Sequence, residues 1–79
     1  MRILYLMTTG SADATKASIA FHLAVNGSAA IGDQPEIFIA GDASDLLIGD
    51  TISSIHGVGV PAMADLLAGV REHRIPVHV

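Results

Sequence analysis

The chain has 79 residues, no cysteine, a net charge of −4 and a sequence pI of about 5.3, with 51 % hydrophobic and only 15 % charged residues. That length allows one small domain, and the missing thiols exclude disulfides and speak against a structural zinc site. Four fixed cations (Arg2, Lys16, Arg71, Arg74) form no basic stripe, and one Tyr, two Phe and no Trp offer little for base stacking, which argues against nucleic-acid binding.

In chain order, Ile3 to Met7 is a near-continuous apolar run, the pattern of a strand covered on both faces. Thr8-Thr9-Gly10-Ser11 breaks it. A helix follows, capped by Ser11 or Asp13, and runs to about Val25, where Asn26-Gly27 suits a left-handed helix end. Its polar residues Thr15, Ser18, His22 and Asn26 form one narrow stripe. Ala17, Ala20, Phe21, Ala24 and Val25 lie on one flank, Ile19 and Leu23 on the other, so the helix is expected to be covered by both the sheet and another subunit. Ala29 to Gln34 reads as a turn and Glu36 to Ala40 as the second strand, started by Pro35.

Gly41 to Asp45 opens a short helical segment reaching Ile48, and Gly49 to Val60 is Gly- and Ser-rich, as in a loop. Pro61 suits a first helical position, and Met63, Leu66, Leu67 and Val70 recur at helical spacing to about His73. Ile75 to Val79 is the third strand. Alternation of strands and helices predicts a single α/β domain over residues 1–79, with a doubly wound, three-layer α/β/α parallel sheet of flavodoxin-like kind whose C-terminal part, a fourth strand and a last helix, is missing.

Mean hydropathy is +0.55, and a domain this small buries only about 60–65 % of its unfolded surface. A homo-oligomer is therefore expected. The longest uncharged stretch, Ala17 to Gly32, is interrupted by Ser18, His22, Asn26 and Ser28 and falls short of the ~20 apolar residues of a membrane span. The apolar run at the N-terminus is shorter than a signal peptide needs. A cytoplasmic protein with no membrane partner is expected.

In parallel α/β sheets ligands gather outside the carboxyl ends of the strands. The candidate site is therefore Thr8, Thr9, Gly10 and Ser11 leading into a helix N-terminus, with Lys16 a turn inside it, Gly41-Asp42 at the second strand exit, and His56 in the Gly-rich loop. Such a site would hold a small anion or nucleotide, although Thr-Thr-Gly-Ser matches no phosphate-loop fingerprint. Each piece also has a plainer role: a capped turn, a helix-capping Asp, a connector that needs glycine torsions. His22, His56, His73 and His78 lack metal-ligand spacing, and no metal or cofactor is expected.

Several stretches resemble the DsrE/DsrF-like family of small sulfur-relay proteins. They are Ile3 to Gly10, Thr15 to Ala24, Ala40 to Ala43, His56 to Pro61, and Arg71-Glu72-His73 before the last strand. The resemblance implies a subunit of a dimer, trimer or hexamer that exchanges sulfur with a relay partner through a persulfide on a cysteine placed after a C-terminal strand. This chain ends at Val79, before that motif, so no catalytic residue is inherited and no persulfide transfer is expected. Low-pKa thiolates or selenolates do that work, and hydroxyls such as Thr8, Thr9 and Ser11 cannot replace them. The family fold would continue beyond Val79. A selenocysteine codon read as a stop, a shortened clone or a decayed gene each produce such an end, and the bases after the last codon separate them.

Overall fold

The computed structural model describes residues 1–79. Strand β1 (Arg2–Met7) leads through the Thr8–Asp13 turn into helix α1 (Ala14–His22). Asp13 caps α1, its carboxylate accepting the Lys16 amide at 3.0 Å, which decides between the two candidate caps. The helix does not stop at Asn26-Gly27 as expected. It widens into a π-helical turn over Leu23–Ser28 and tightens into a 3₁₀ turn over Ala29–Ile31, and the left-handed residue is Gly32, at φ 86°.

Strand β2 (Gln34–Ile39) starts before Pro35, not after it. Pro35 is tolerated in the central strand because of what lies beside it. Ile37 donates to the carbonyl of Pro76, just before the next strand, so odd-numbered β2 amides face that side, where pairing begins only at Ile37. Two 3₁₀ segments, Gly41–Leu47 and Ile52–Ser54, then lead to helix α2 (Met63–Glu72) and the two-residue strand β3 (Val77–His78). The Pro61 expectation is off by two positions: α2 begins at Met63, after Ala62.

All strands are parallel, in the order β1-β2-β3. Two successive right-handed crossovers that step the same way put both helices on one side of the sheet. Accordingly α1 and α2 touch each other, and one core joins Met7, Ile37 and Ile39 of the sheet to Phe21, Ala24 and Val25 of the first helical stretch and Met63, Leu66 and Val70 of α2. The shortest dimension of the molecule is 18 Å, the thickness of two layers spaced about 10 Å apart. Strand order does not reverse among these three strands, so the described residues form an α/β domain with a three-strand parallel sheet and both helices on one face.

The other sheet face carries no helix. Arg2, Leu4 and Leu6 of β1, Glu36 and Phe38 of β2 and His78 of β3 lie on it, with Leu4 61 % and Leu6 65 % exposed. Total accessible surface is 4553 Å², against about 4,500 Å² expected for a monomer of this mass. The amount of surface is ordinary.

Helix α1 differs from its sequence pattern in one respect. Ser18, read as part of an outward polar stripe, is fully buried, and its hydroxyl donates to the Ala14 carbonyl one turn back at 2.8 Å. That bond removes the cost of burying it. Around it the stripe is engaged: Thr15 accepts the Val58 amide, and His22 bonds Asn26.

Candidate functional site

The exits of β1 and β2 meet at the carboxyl edge of the sheet, where the Ala40 amide still reaches the Met7 carbonyl at 3.0 Å. Gly10 is buried there because the second exit loop lies directly against it. A Cβ at Gly10 would stand 2.0 Å from Asp45 Oδ1 and 2.5 Å from the Asp42 carbonyl, so only glycine fits. Beside it, Asp45 accepts the Ser11 amide at 3.0 Å on Oδ1 and the Ser11 hydroxyl at 2.5 Å on Oδ2. The Ser11 hydroxyl and then its amide hold the Asp45 carboxyl below its ordinary pKa.

An anion thus already sits on the loop that was expected to attract one, and it belongs to the chain itself. Asp13 similarly fills the start of α1. The Ser11 donors are not vacant, and an incoming phosphate would have to displace Asp45.

The remaining candidate residues divide between two sides of this loop. Gly10, Gly41 and Asp42 border an open hollow of about 480 Å³ with Ser44, Asp45 and Ile48. Thr8, Thr9 and Lys16 border a separate groove of about 290 Å³ beside β1, whose other walls include Leu6, Ile19 and Leu23. Asp42 is exposed, and the 3₁₀ segment that follows it has no side-chain cap. His56 is exposed and borders none of the hollows, although the neighbouring Val58 amide is fixed to Thr15 at 2.9 Å. No three His, Asp or Glu side chains converge as a metal site would require, and no helix is long and apolar enough to cross a membrane.

Sequence reading missed two polar arrangements. One is Asp45. It lies three residues after Asp42, one 3₁₀ turn on, so both point the same way and only the fold selects between them. The other crosses the open sheet face. Glu36 binds Arg2 at 2.9 Å and His78 at 3.0 Å, while the His78 ring stacks on Phe38 with centroids 6.2 Å apart. His78 first and Arg2 second lower the Glu36 pKa. Residues this far apart in sequence meet only through the strand register, which no local pattern encodes.

A hollow of about 500 Å³ opens at the amino end of the sheet, bordered by Arg2, Asp33, Glu36, His73 and Arg74. Arg74 takes a left-handed conformation, φ 55°, as the residue that ends α2. The Ile75 amide reaches the Val70 carbonyl and the Arg74 amide the Arg71 carbonyl, a Schellman closure built without the usual glycine. The conformation is thus explained by helix termination and by itself implies no ligand.

No family model, curated protein or solved structure matches this chain.

Proposed function

We propose that this chain is a DsrE-like α/β subunit of the sulfur-relay type that works by association and does not itself carry sulfur. The observation behind this reading is the carboxyl edge of the sheet: it offers no thiol, and the Ser11 donors that would steady an anionic sulfur species are held by Asp45. The stretches resembling the family, Ile3 to Gly10 and Thr15 to Ala24 above all, support the sulfur-relay assignment. Exposed Leu4, Leu6, Ile19, Leu23 and Phe38 support association, as a homo-oligomer or with a relay partner protein. In the three-layer form implied by the resemblance, the open face bearing Leu4, Leu6 and Phe38 takes the second helical layer.

Two measurements test the proposal. Light scattering after gel filtration should give a mass above the 8.1 kDa of one chain, rising with concentration. Incubation with a persulfide donor should leave the chain mass unchanged. A single-chain mass at every concentration overturns the associative half, and a stable gain of one sulfur atom overturns the other.

A small-anion or nucleotide site is the second reading. It is favoured by Thr8, Thr9 and Lys16 bordering one groove. Thermal stabilisation that grows with phosphate or nucleotide concentration and disappears in Lys16→Ala would establish it; no response removes it.

A further inference from the structure

Asn26-Gly27 has the composition of a helix stop but does not end the helix, and Gly27 has no other structural duty. It is not left-handed, unlike Gly32, Gly41, Gly49 and Gly59, and a Cβ there would meet nothing within 4 Å. Glycine inside a helix is disfavoured by the backbone freedom it loses. What glycine does best after an asparagine is chemical. With no side chain beside it, the Gly27 nitrogen has the least hindered approach to the Asn26 side-chain amide that any residue could offer.

Two features of the fold oppose that approach. Leu23–Ser28 is a π-helical turn, in which the Ala29 amide reaches the Ala24 carbonyl five residues back. Right-handed helical backbone keeps Asn26 Cγ and the Gly27 nitrogen out of the aligned geometry, roughly 3–3.5 Å apart, that reaction between them needs. The exposed Asn26 side chain is also drawn back one helical turn, its Nδ2 donating to His22 Nδ1 at 3.0 Å. Helical side chains lean toward the N-terminus, whereas the Gly27 nitrogen lies on the C-terminal side. His22 therefore holds the reactive carbon away from its nucleophile.

We infer that Asn26 is a site of intramolecular deamidation, gated by the π turn and by the His22–Asn26 bond. Single π turns are rare and open locally without global unfolding. On opening, the Gly27 nitrogen loses its proton to solvent base and bonds to Asn26 Cγ. The Cγ–Nδ2 bond breaks, and Nδ2 takes a proton from water and leaves as ammonia, closing a succinimide ring. One water then opens the ring. Cleavage between Cγ and the Gly27 nitrogen gives aspartate; cleavage between that nitrogen and the Asn26 main-chain carbonyl carbon gives isoaspartate. Nothing is oxidised or reduced: an amide and a water become a carboxylic acid and ammonia. Isoaspartate lengthens the main chain by one atom within the stretch that buries Ala24, Val25 and Ser28, so the turn does not re-form as before.

The test compares wild type at neutral pH in buffer and in unfolding guanidinium chloride, with peptides spanning residue 26 separated and weighed. Aspartate and isoaspartate should accumulate at position 26 in both, slower in buffer by on the order of tenfold or more, the factor set by how seldom the turn opens. Gly27→Ala enters open space and should all but abolish conversion in denaturant. His22→Ala should speed conversion in buffer and leave the rate in denaturant unchanged. His22→Gln, which can hold the amide from the same position one turn back, should restore the slow rate. Equal wild-type rates in the two solvents, or no conversion in buffer, overturn the gated site whether or not the His22 variants fold. Conversion of Gly27→Ala as fast as wild type overturns the assignment of the nucleophile. His22→Ala and His22→Gln that react alike in buffer overturn the part given to His22.

Discussion

In an exposed helix, replacing a mid-helix glycine such as Gly69 with alanine would stabilise by about 1 kcal/mol, because glycine has more backbone freedom to lose. Gly69 is buried on α2 against the π-helical turn of the first helix, and a Cβ there would lie 2.4 Å from Val25 Cγ1 and 3.3 Å from Cγ2. Val25 cannot yield readily, since a β-branched side chain in a helical turn has essentially one comfortable rotamer. Overpacking of this kind costs about 1–3 kcal/mol, so Gly69→Ala should lose about 1 kcal/mol net. For a domain of this size that lowers Tm by about 6 °C. In a Val25→Ala background the offending methyls are gone, the nearest remaining contact being Val25 Cβ at 3.4 Å. There the same substitution should stabilise by about 1 kcal/mol. Urea melts followed by far-UV circular dichroism, all at one protein concentration, measure the four corners of the cycle. A Gly69→Ala effect of the same sign in both backgrounds would refute the reasoning.

Three further outcomes are expected. Arg74→Gly relieves a left-handed side-chain-bearing residue inside a Schellman closure and should raise stability by about 0.5–1 kcal/mol in the same melts; a loss would mean that the Arg74 side chain does more than end a helix. Tyr5→Phe leaves the buried Ser28 hydroxyl without its 2.5 Å partner and should cost about 1–3 kcal/mol, most of it recovered in Tyr5→Phe/Ser28→Ala. Because hydrogen bonds from Ser11 lower the Asp45 pKa in the folded chain, the Asp45 contribution is present above the unfolded carboxylate pKa and lost as pH falls through the folded value. Ser11→Ala should therefore flatten the acid side of a stability–pH profile below about pH 4, and an unchanged acid limb would dismiss the clasp as a stabilising contact.

Periodicity revealed the elements of this fold but not their assembly. The strand at Ile3 to Met7, the amphipathic spacing of Met63, Leu66 and Val70, and the parallel alternation are local facts, and each appears in the structure. The number of layers is not local. It depends on whether consecutive crossovers step in one direction or reverse, and the sequence of a crossover helix reads the same in both cases. Continuous apolar strands suggested cover on both faces, yet Leu4 and Leu6 of β1 face the open side. The first helix was misjudged at its end for a related reason. Asn26-Gly27 has ordinary helix-stop chemistry, but the chain runs on through a π turn, with Val25 packed against Gly69, to Gly32.

The same distinction governs the site. Thr8 to Ser11 and Gly41-Asp42 were legible as strand exits because turn residues mark them. Whether they enclose a vacant ligand seat depends on what the second loop places over the first. In a sheet whose order reverses, neighbouring exit loops diverge to opposite faces and leave a crevice between them. Here β1 and β2 are adjacent and their helices share a side, so the loops after them converge instead. Gly10 lets the second loop approach to contact, and Asp45 then lands on the amide and hydroxyl of Ser11. The close approach of the two loops and the Asp45 clasp thus have a single origin in strand order.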